Sequence, residues 1–347
     1  MGERVTDPVA DIAVLIVAFQ SRGTLPGVIA GLERQTVRPR SIHVLENGSP
    51  SEARINAGMV GSAAELVESE ANLGFAAGNN LLARRADAQW LFLLNPDAYP
   101  EPDLIAQLQA AIARYPGVRL FGCTQLANGA PGVLDGVGDI YHMTGLPYRS
   151  GYGTHREPPP DGEVFGPCGA ALLIRRDLFE ALGGFDEDYF CYVEDVDLAY
   201  RARLLGERCI QLKEAQVSHV GYASSGRRSA FASYHGARNR LWTFLKNTPW
   251  PLLVLLAPVH AGVTVLLWLS AARFGQFTLF GQAIRDALAA WPTLMAKRRA
   301  VQSQRRASAL SIARAMTWNP LKLLTRGLDV RPLHAAMQSR ATPKPPE

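Results

Sequence analysis

Residues 89–97 read Gln-Trp-Leu-Phe-Leu-Leu-Asn-Pro-Asp. An unbroken apolar run of this length, without polar alternation, predicts a strand covered on both faces. Pro96 supplies no backbone donor and fixes the turn, which leaves Asp97 at the strand's carboxyl end. Upstream, Ile12–Phe19 is another Val/Ile-rich run, Ser41–Glu46 a further strand ending in Asn-Gly-Ser, and Glu65–Glu68 a short one. Residues 23–35 and 76–86 have helical spacing, and Asp103–Arg114 is amphipathic after Pro100 and Pro102. The alternation predicts an α/β fold with a mostly parallel central sheet flanked by helices. Ligands in such sheets bind at the carboxyl ends of the strands. Those ends carry Phe19-Gln20-Ser21, Glu46-Asn47-Gly48-Ser49 and Asn95-Pro96-Asp97.

Downstream, residues 127–163 are Gly/Pro-rich and long for a plain loop, which predicts an irregular β excursion or a substrate-facing loop. Order is expected again over Phe165–Arg175, in a short helix near 177–182 stopped by Gly183-Gly184, in a helix from Asp195 to about Leu205, and in a helix over 229–247. Leu252–Ala272 is almost wholly apolar apart from Pro258 and His260, close to the ~20 residues that cross a bilayer. A buried core helix would read the same way. Residues 276–296 are amphipathic. Basic residues flank the apolar run on both sides, so charge gives no orientation and an interfacial or re-entrant helix fits better than one span. The expected division is an α/β catalytic domain over 8–247, a membrane-associated helical region over 248–310 and a partly disordered tail over 311–347.

The 347 residues and 48% hydrophobic content readily support a core. The net charge is +5, but Lys297, Arg298, Arg299, Arg305 and Arg306 crowd into one segment, and Arg227, Arg228, Arg238, Arg240 and Lys246 into another. Such clusters suit nucleic acid or an anionic membrane face, and the adjacent apolar sequence favours the membrane surface and no nucleic acid. Cys123, Cys168, Cys191 and Cys209 form no C-x-x-C pair, which argues against zinc. Residues 1–19 lack a cleavable signal, which predicts cytosolic catalytic residues and reduced thiols.

Five motifs carry candidate chemistry. Asp97 is placed to hold a divalent cation, although Asn-Pro alone is a common turn. Asn72-Leu73-Gly74-Phe75-Ala76-Ala77-Gly78-Asn79-Asn80 is a Gly/Asn-rich helix entry that lets backbone approach an anion; simple helix capping would look alike. Residues 185–206, FDEDYFCYVEDVDLAYRARLLG, put Glu194, Asp195 and Asp197 in one first helical turn. There carboxylates gain from the helix dipole, and Asp197 and Arg201 are spaced for an ion pair. His219 follows a strand, as a structural residue or a ligand. Tyr234-His235-x-x-Arg238-Asn239 and Lys246-Asn247 set cations at helical spacing, for a solvated face or for diphosphate contact.

In this order the segments VLIVAFQS, VLENGS, NLGFAAGNN, LLNPDAYP, GPCGAALLIRR, GGFDEDYFCYVEDVDLAYR, HVGYASSG and YHGARN resemble the family-two glycosyltransferases of the GT-A fold, within them the bacterial rhamnosyltransferase-like group. The resemblance covers residues 12–247. It implies Asp97 as metal carboxylate in the D-x-D position, with Asn95 in its first slot, and His219 as a second metal ligand. It implies Glu46, where Asp is usual, on the nucleotide base or ribose, and Gln20, Asn47, Asn72, Gly74, Phe75 and Asn79 around the donor. It implies Asp195 as general base, with Glu194 and Arg238 at acceptor or diphosphate. The implied reaction is inverting, with Mg²⁺ or Mn²⁺. The donor is dTDP-rhamnose, or alternatively a UDP-hexose, and the acceptor is a lipid-linked or cell-envelope glycan at the cytoplasmic face of the inner membrane. Two rivals are a degenerate, membrane-tethered binding protein and a nucleotidyltransferase. The first is disfavoured by the intact Asp97, Asp195 and His219. The second would need a basic Gly-rich loop where Gln20-Ser21-Arg22-Gly23-Thr24 stands.

Overall fold

The computed structural model describes residues 9–221 and 229–333. The strands are β1 (Val9–Ala18), β2 (Arg38–Asn47), β3 (Glu65–Ser69), β4 (Trp90–Leu94), β5 (Ala98–Pro100), β6 (Leu120–Ala127), β7 (Leu134–Gly136), β8 (Asp139–Tyr141), β9 (Pro147–Arg149), β10 (Gly162–Val164), β11 (Ala171–Arg175), β12 (Cys209–His219) and β13 (Arg331–Pro332). The helices are α1 (Leu25–Glu33), α2 (Ala57–Val60), α3 (Gly74–Arg85), α4 (Leu104–Arg114), α5 (Arg176–Ala181), α6 (Glu194–Leu204), α7 (Ala230–Asn247), α8 (Trp250–Ala271), α9 (Phe277–Ala289), α10 (Trp291–Ser303), α11 (Ala309–Ala315) and α12 (Pro320–Thr325).

The main sheet runs β13-β10-β12-β6-β11-β4-β1-β2-β3. β1 pairs in parallel with β2 and β4, β2 with β3, and β6 with β12, while β11 runs antiparallel between β4 and β6. This is the mixed, mostly parallel α/β sheet that the apolar runs predict. Alternation within β1 explains the two-sided burial. Ile12, Val14 and Ile16 pack beneath α1 and α4, and Ala13, Leu15 and Val17 beneath α3, α5 and α6. One sheet therefore carries a core on each face.

Three stretches take a definite form in the structure. The stretch 165–175 is one strand only from Ala171. The preceding turn, Cys168-Gly169-Ala170, reaches the candidate site instead. The 127–163 excursion contains β7, β8 and β9 and is held to the sheet through the β6–β7 pairing. The tail from 311 returns to the domain: β13 pairs with β10, and Thr317 bridges to His142. A boundary at 310/311 therefore cuts through packed structure. Pro343, Pro345 and Pro346 lie outside the described residues, as do Arg227, Arg228 and residues 222–226 of HVGYASSG.

α8 lies along the domain rather than projecting from it. Leu252, Leu256, His260 and Thr264 recur every four residues and are buried, while Trp250, Val254, Leu255, Val259, Val265, Leu266 and Leu269 are exposed. Pro258 leaves a carbonyl one turn earlier without its helical donor, and the helix continues through it.

Candidate functional site

Asp97 stands just past β4, and His219 ends β12. Antiparallel pairing of β5 with β12 sets His219 opposite Ala98, the residue after Asp97. Their side chains meet: His219 Nε2 lies 3.3 Å from Asp97 Oδ1 and makes no hydrogen bond among the described residues. The opposite ring nitrogen, Nδ1, is 2.7 Å from Asp135 Oδ2. Asp135 is in turn paired with Arg149. Burial opposes the imidazolium, but the hydrogen bond to Asp135 and the adjacent Asp97 carboxylate outweigh it and raise His219 to about 9.

These residues fit a divalent cation. A carboxylate oxygen and an imidazole nitrogen bound to one ion at about 2.1 Å sit roughly 3 Å apart. A carboxylate behind the distal ring nitrogen is the usual support for a metal-bound His. Asp97 and His219 would hold the ion, and Asp135 would orient the ring.

Asp195 is brought toward the same strand ends by the Cys168-Gly169-Ala170 turn. Ala170 O accepts from Asn95 N at 2.9 Å, and one residue earlier Gly169 N donates to Asp195 Oδ2 at 2.8 Å. A Cβ on Gly169 would meet that oxygen at 2.9 Å, so the approach depends on glycine. Asp195 Oδ1 accepts from Val196 N at 2.8 Å.

Asp139 and Cys168 complete a second group, with ligand atoms all within 4.8 Å of one another and of Asp195. Burial first, then the Asp195 charge, push the Asp139 carboxyl well above the usual range. Asp139 is therefore the partner that takes up a proton hydrogen-bonded between the two. Burial holds the Cys168 thiol at about 12, neutral and a poor ligand, and the nearby positive Arg149 disfavours a cation there. Asp97 and His219 are the better metal position.

Around Asp195 the backbone is strained. Phe190, Tyr192 and Val193 all have φ between +64° and +70°, where a β-branched Val is uncommon. Asn239 Nδ2 donates to the carbonyls of Tyr189, Cys191 and Tyr192, and Arg238 to those of Asp188 and Tyr189. The strain is thus fixed by α7. Glu194, buried at the start of α6, leaves Oε2 without a partner among the described residues. Burial and then Asp195 push its carboxyl well up.

Several predicted contacts differ. Glu46 is fully buried, and its two oxygens accept from Ser49 N at 2.7 Å and Ile55 N at 2.9 Å. It organises the loop after β2 and does not reach a base or ribose; the longer side chain suits that task. Arg238 spends its guanidinium on carbonyls and lies 4.4 Å over the Trp242 ring, rather than facing a diphosphate. Asn79 is buried and donates to Phe75 O at 2.9 Å, within its own helix. Phe75 packs edge-on against Phe185. Lys246 and Lys297 are tied to Asp186, and Arg298 to the carbonyls of Leu245 and Thr248.

The other donor-side residues cluster at the ends of β1 and β2. Asn47 Nδ2 donates to Asn72 Oδ1 at 3.0 Å, Asn47 Oδ1 accepts from Leu73 N, and Asn72 Oδ1 accepts from Gly74 N. Gly74 has φ +79° and lies so close to Phe190 that a Cβ would clash. Gln20 is exposed at φ +54° with its N–H on Ser49 Oγ. Asp135, Asp139, Arg149 and Gly169 were not legible in the sequence. Asp135-Gly136 reads as an ordinary turn, and no periodicity runs through 127–163.

A cavity of about 590 Å³ lies elsewhere, lined by Arg84, Arg176, Glu180, Lys246 and Lys297, and shares none of Asp97, Asp195 or His219.

Comparison with known proteins follows the same lines. Residues 13–183 match the family model described as Glycosyl transferase family 2. An N-acetylglucosaminyl-diphospho-decaprenol L-rhamnosyltransferase of Mycobacterium tuberculosis is 28% identical over 257 residues, 65% of this chain and 81% of that protein. Among solved structures, GalNAc-T7 with UDP, GalNAc and Mn²⁺ superposes at TM-score 0.54 and 16% identity, covering 68% of this chain and 47% of that one. S. aureus TarS 1-349 with UDP-GlcNAc superposes at 0.53 and 14% identity, covering 89% and 93%. These structural likenesses establish the GT-A fold.

Proposed function

Because the chain carries a glycosyl transferase family 2 domain and is a glycosyltransferase, we propose that it is an inverting, metal-dependent enzyme. In this reading it moves rhamnose from dTDP-rhamnose to a lipid-linked or cell-envelope glycan. The observation that carries the reading is the meeting of Asp97 and His219 beside a turn that also holds Asp195. The rhamnosyl donor and the polyprenyl diphosphate-linked acceptor follow the mycobacterial relative. A UDP-hexose donor is the second reading, favoured by the UDP-GlcNAc carried by the similarly folded TarS.

Mg²⁺ or Mn²⁺, as in the GalNAc-T7 structure, would neutralise charge developing on the leaving nucleoside diphosphate. Asp195 accepts the acceptor hydroxyl's proton as that oxygen bonds to the anomeric carbon. The bond to the diphosphate breaks on the opposite face, and its electron pair leaves with the nucleotide. Gly169 N–H and Val196 N–H fix the carboxylate for that transfer.

The membrane surface is the proposed second partner. α8 presents one apolar side outward while His260 and Thr264 tie its other side to the domain. Phe277, Leu288, Trp291, Leu310, Trp318, Leu321 and Leu324 in the following helices are exposed as well. Helix α8 therefore lies on the cytoplasmic face of the inner membrane rather than crossing it.

The test is a donor panel with Mn²⁺, assayed for nucleoside diphosphate release and for product anomeric configuration. Release from dTDP-rhamnose with inversion is expected. Turnover of UDP-hexoses alone overturns the donor assignment, and pyrophosphate as product overturns glycosyl transfer.

A further inference from the structure

Among the described residues, Arg240 is a buried cation without an anion. It is 4% exposed on α7, and its Nη2 donates to Thr264 Oγ1 at 3.1 Å. Nη1 has no partner among the described residues. The groups packed about it are neutral. His260 lies on α8, stacked on Phe244 at 3.9 Å, with Nδ1 on Thr144 O at 2.8 Å and Nε2 without a partner among the described residues. Burial and then Arg240 itself lower that imidazole to about 4. Tyr141 is fully buried and is kept protonated by burial. Burial lowers Arg240 to about 10, and the opposing influence comes from Tyr141, with no carboxylate contributing.

Other buried cations in this chain are treated differently. Arg201 and Lys246 share Asp197, and Arg203 meets Glu163. A guanidinium removed from water without a counter-charge is costly, and its fork of donors matches phosphate oxygens.

We propose that Arg240, with Thr264 and His260, forms a subsite for the phosphate or diphosphate group of a lipid-linked acceptor. This rests on the glycosyltransferase reading and extends it to the acceptor. Two placements favour that ligand. Asp139 and Tyr141 lie two residues apart on β8 and so share a face, about 7 Å apart. Asp139 bonds to Asp195, and Tyr141 senses Arg240. Strand β8 thus links the surroundings of the candidate base to those of Arg240. Thr264 and His260 belong to the buried side of α8, whose outer side is the apolar surface that would meet lipid. One turn before Arg240, Gly236 has open space where a Cβ would stand, so α7 does not wall off that end.

The test compares the full chain with Arg240→Met and Thr264→Val in titrations with geranyl diphosphate and with inorganic pyrophosphate. A nucleotide sugar with Mn²⁺ is titrated in parallel. Geranyl diphosphate is expected to bind Arg240→Met at least tenfold more weakly than wild type, and Thr264→Val less severely so. Nucleotide-sugar affinity stays unchanged, and the melting temperature of Arg240→Met is equal or higher, because an uncompensated charge has gone. A loss seen with pyrophosphate but not with the prenyl compound keeps the phosphate chemistry and overturns the lipid source. Equal affinity of wild type and Arg240→Met for both probes overturns the subsite. So does a lowered melting temperature with unchanged binding, which marks Arg240 as structural. If Arg240→Met does not fold, Arg240→Lys, which keeps the charge and loses the fork, takes its place with the same threshold. Failure of wild type to bind any nucleotide sugar refutes the transferase reading separately from this comparison.

Discussion

Two charge clusters share α6, and they are built on opposite rules. In the first, Asp186, Asp188 and Asp197 meet Arg201, Lys246 and Lys297, three acids against three cations. Asp197, wholly buried, also accepts from Tyr189 and Asn247. In the second, Asp97, Asp135, Asp139, Glu194 and Asp195 have Arg149 and His219 as cations, five acids against two. In the first, every one of these charges meets an opposite one. The second carries surplus negative charge, a proton shared between carboxyls, and atoms of Glu194 and His219 without a hydrogen-bond partner among the described residues. That surplus is what a cation and an incoming hydroxyl would relieve. Residues two apart on one helix, Asp195 and Asp197, thus belong to different clusters.

The sharpest break in this comparison is Asp195→Asn. Loss of a positioned base is expected to lower turnover by about 10³-fold with folding and nucleotide-sugar affinity retained; steady-state kinetics and donor titration measure the two. Asp197→Asn should do the reverse. Stranding Lys246 and Arg201 is expected to destabilise by about 3–5 kcal/mol in urea unfolding, with turnover per folded molecule little changed. His219→Ala should weaken Mn²⁺-dependent donor binding by about 10- to 100-fold, and Asp135→Asn should weaken it within the same range, by loosening the ring.

Acid should separate the clusters as well. Burial opposes ionisation of Asp197 and Asp186, but Lys246 and its neighbours overcome it and hold both carboxyls below their usual range. A depressed carboxyl contributes its stability fully above the unfolded value near pH 4 and loses it as pH falls through the folded value. Urea midpoints should therefore hold above about pH 5 and fall below about 4, and Asp197→Asn should flatten that fall. The smallest effect belongs to neither cluster: Ser229 caps α7 through Ala232 N, and Ser229→Ala should cost about 1 kcal/mol.

The sequence by itself determined the sheet's parallel half. β1 and β4 are apolar runs that only two-sided burial accommodates, and Pro96 marks where β4 must end. It also determined that Asp97, Asp195 and His219 are chemistry-bearing types at element ends, because turns and caps are local events. Tertiary structure decided the rest. It placed His219 against Asp97 through β5–β12 pairing, whose partners are more than a hundred residues apart. It drew Asp135, Asp139 and Arg149 from a stretch without periodicity. It turned Glu46, Arg238 and Lys246 inward, where backbone donors, strained carbonyls and Asp197 needed partners. Whether a charged side chain serves the fold or a ligand depends on which opposite charge lies within a few ångströms. That proximity comes from long-range pairing, which no local pattern encodes.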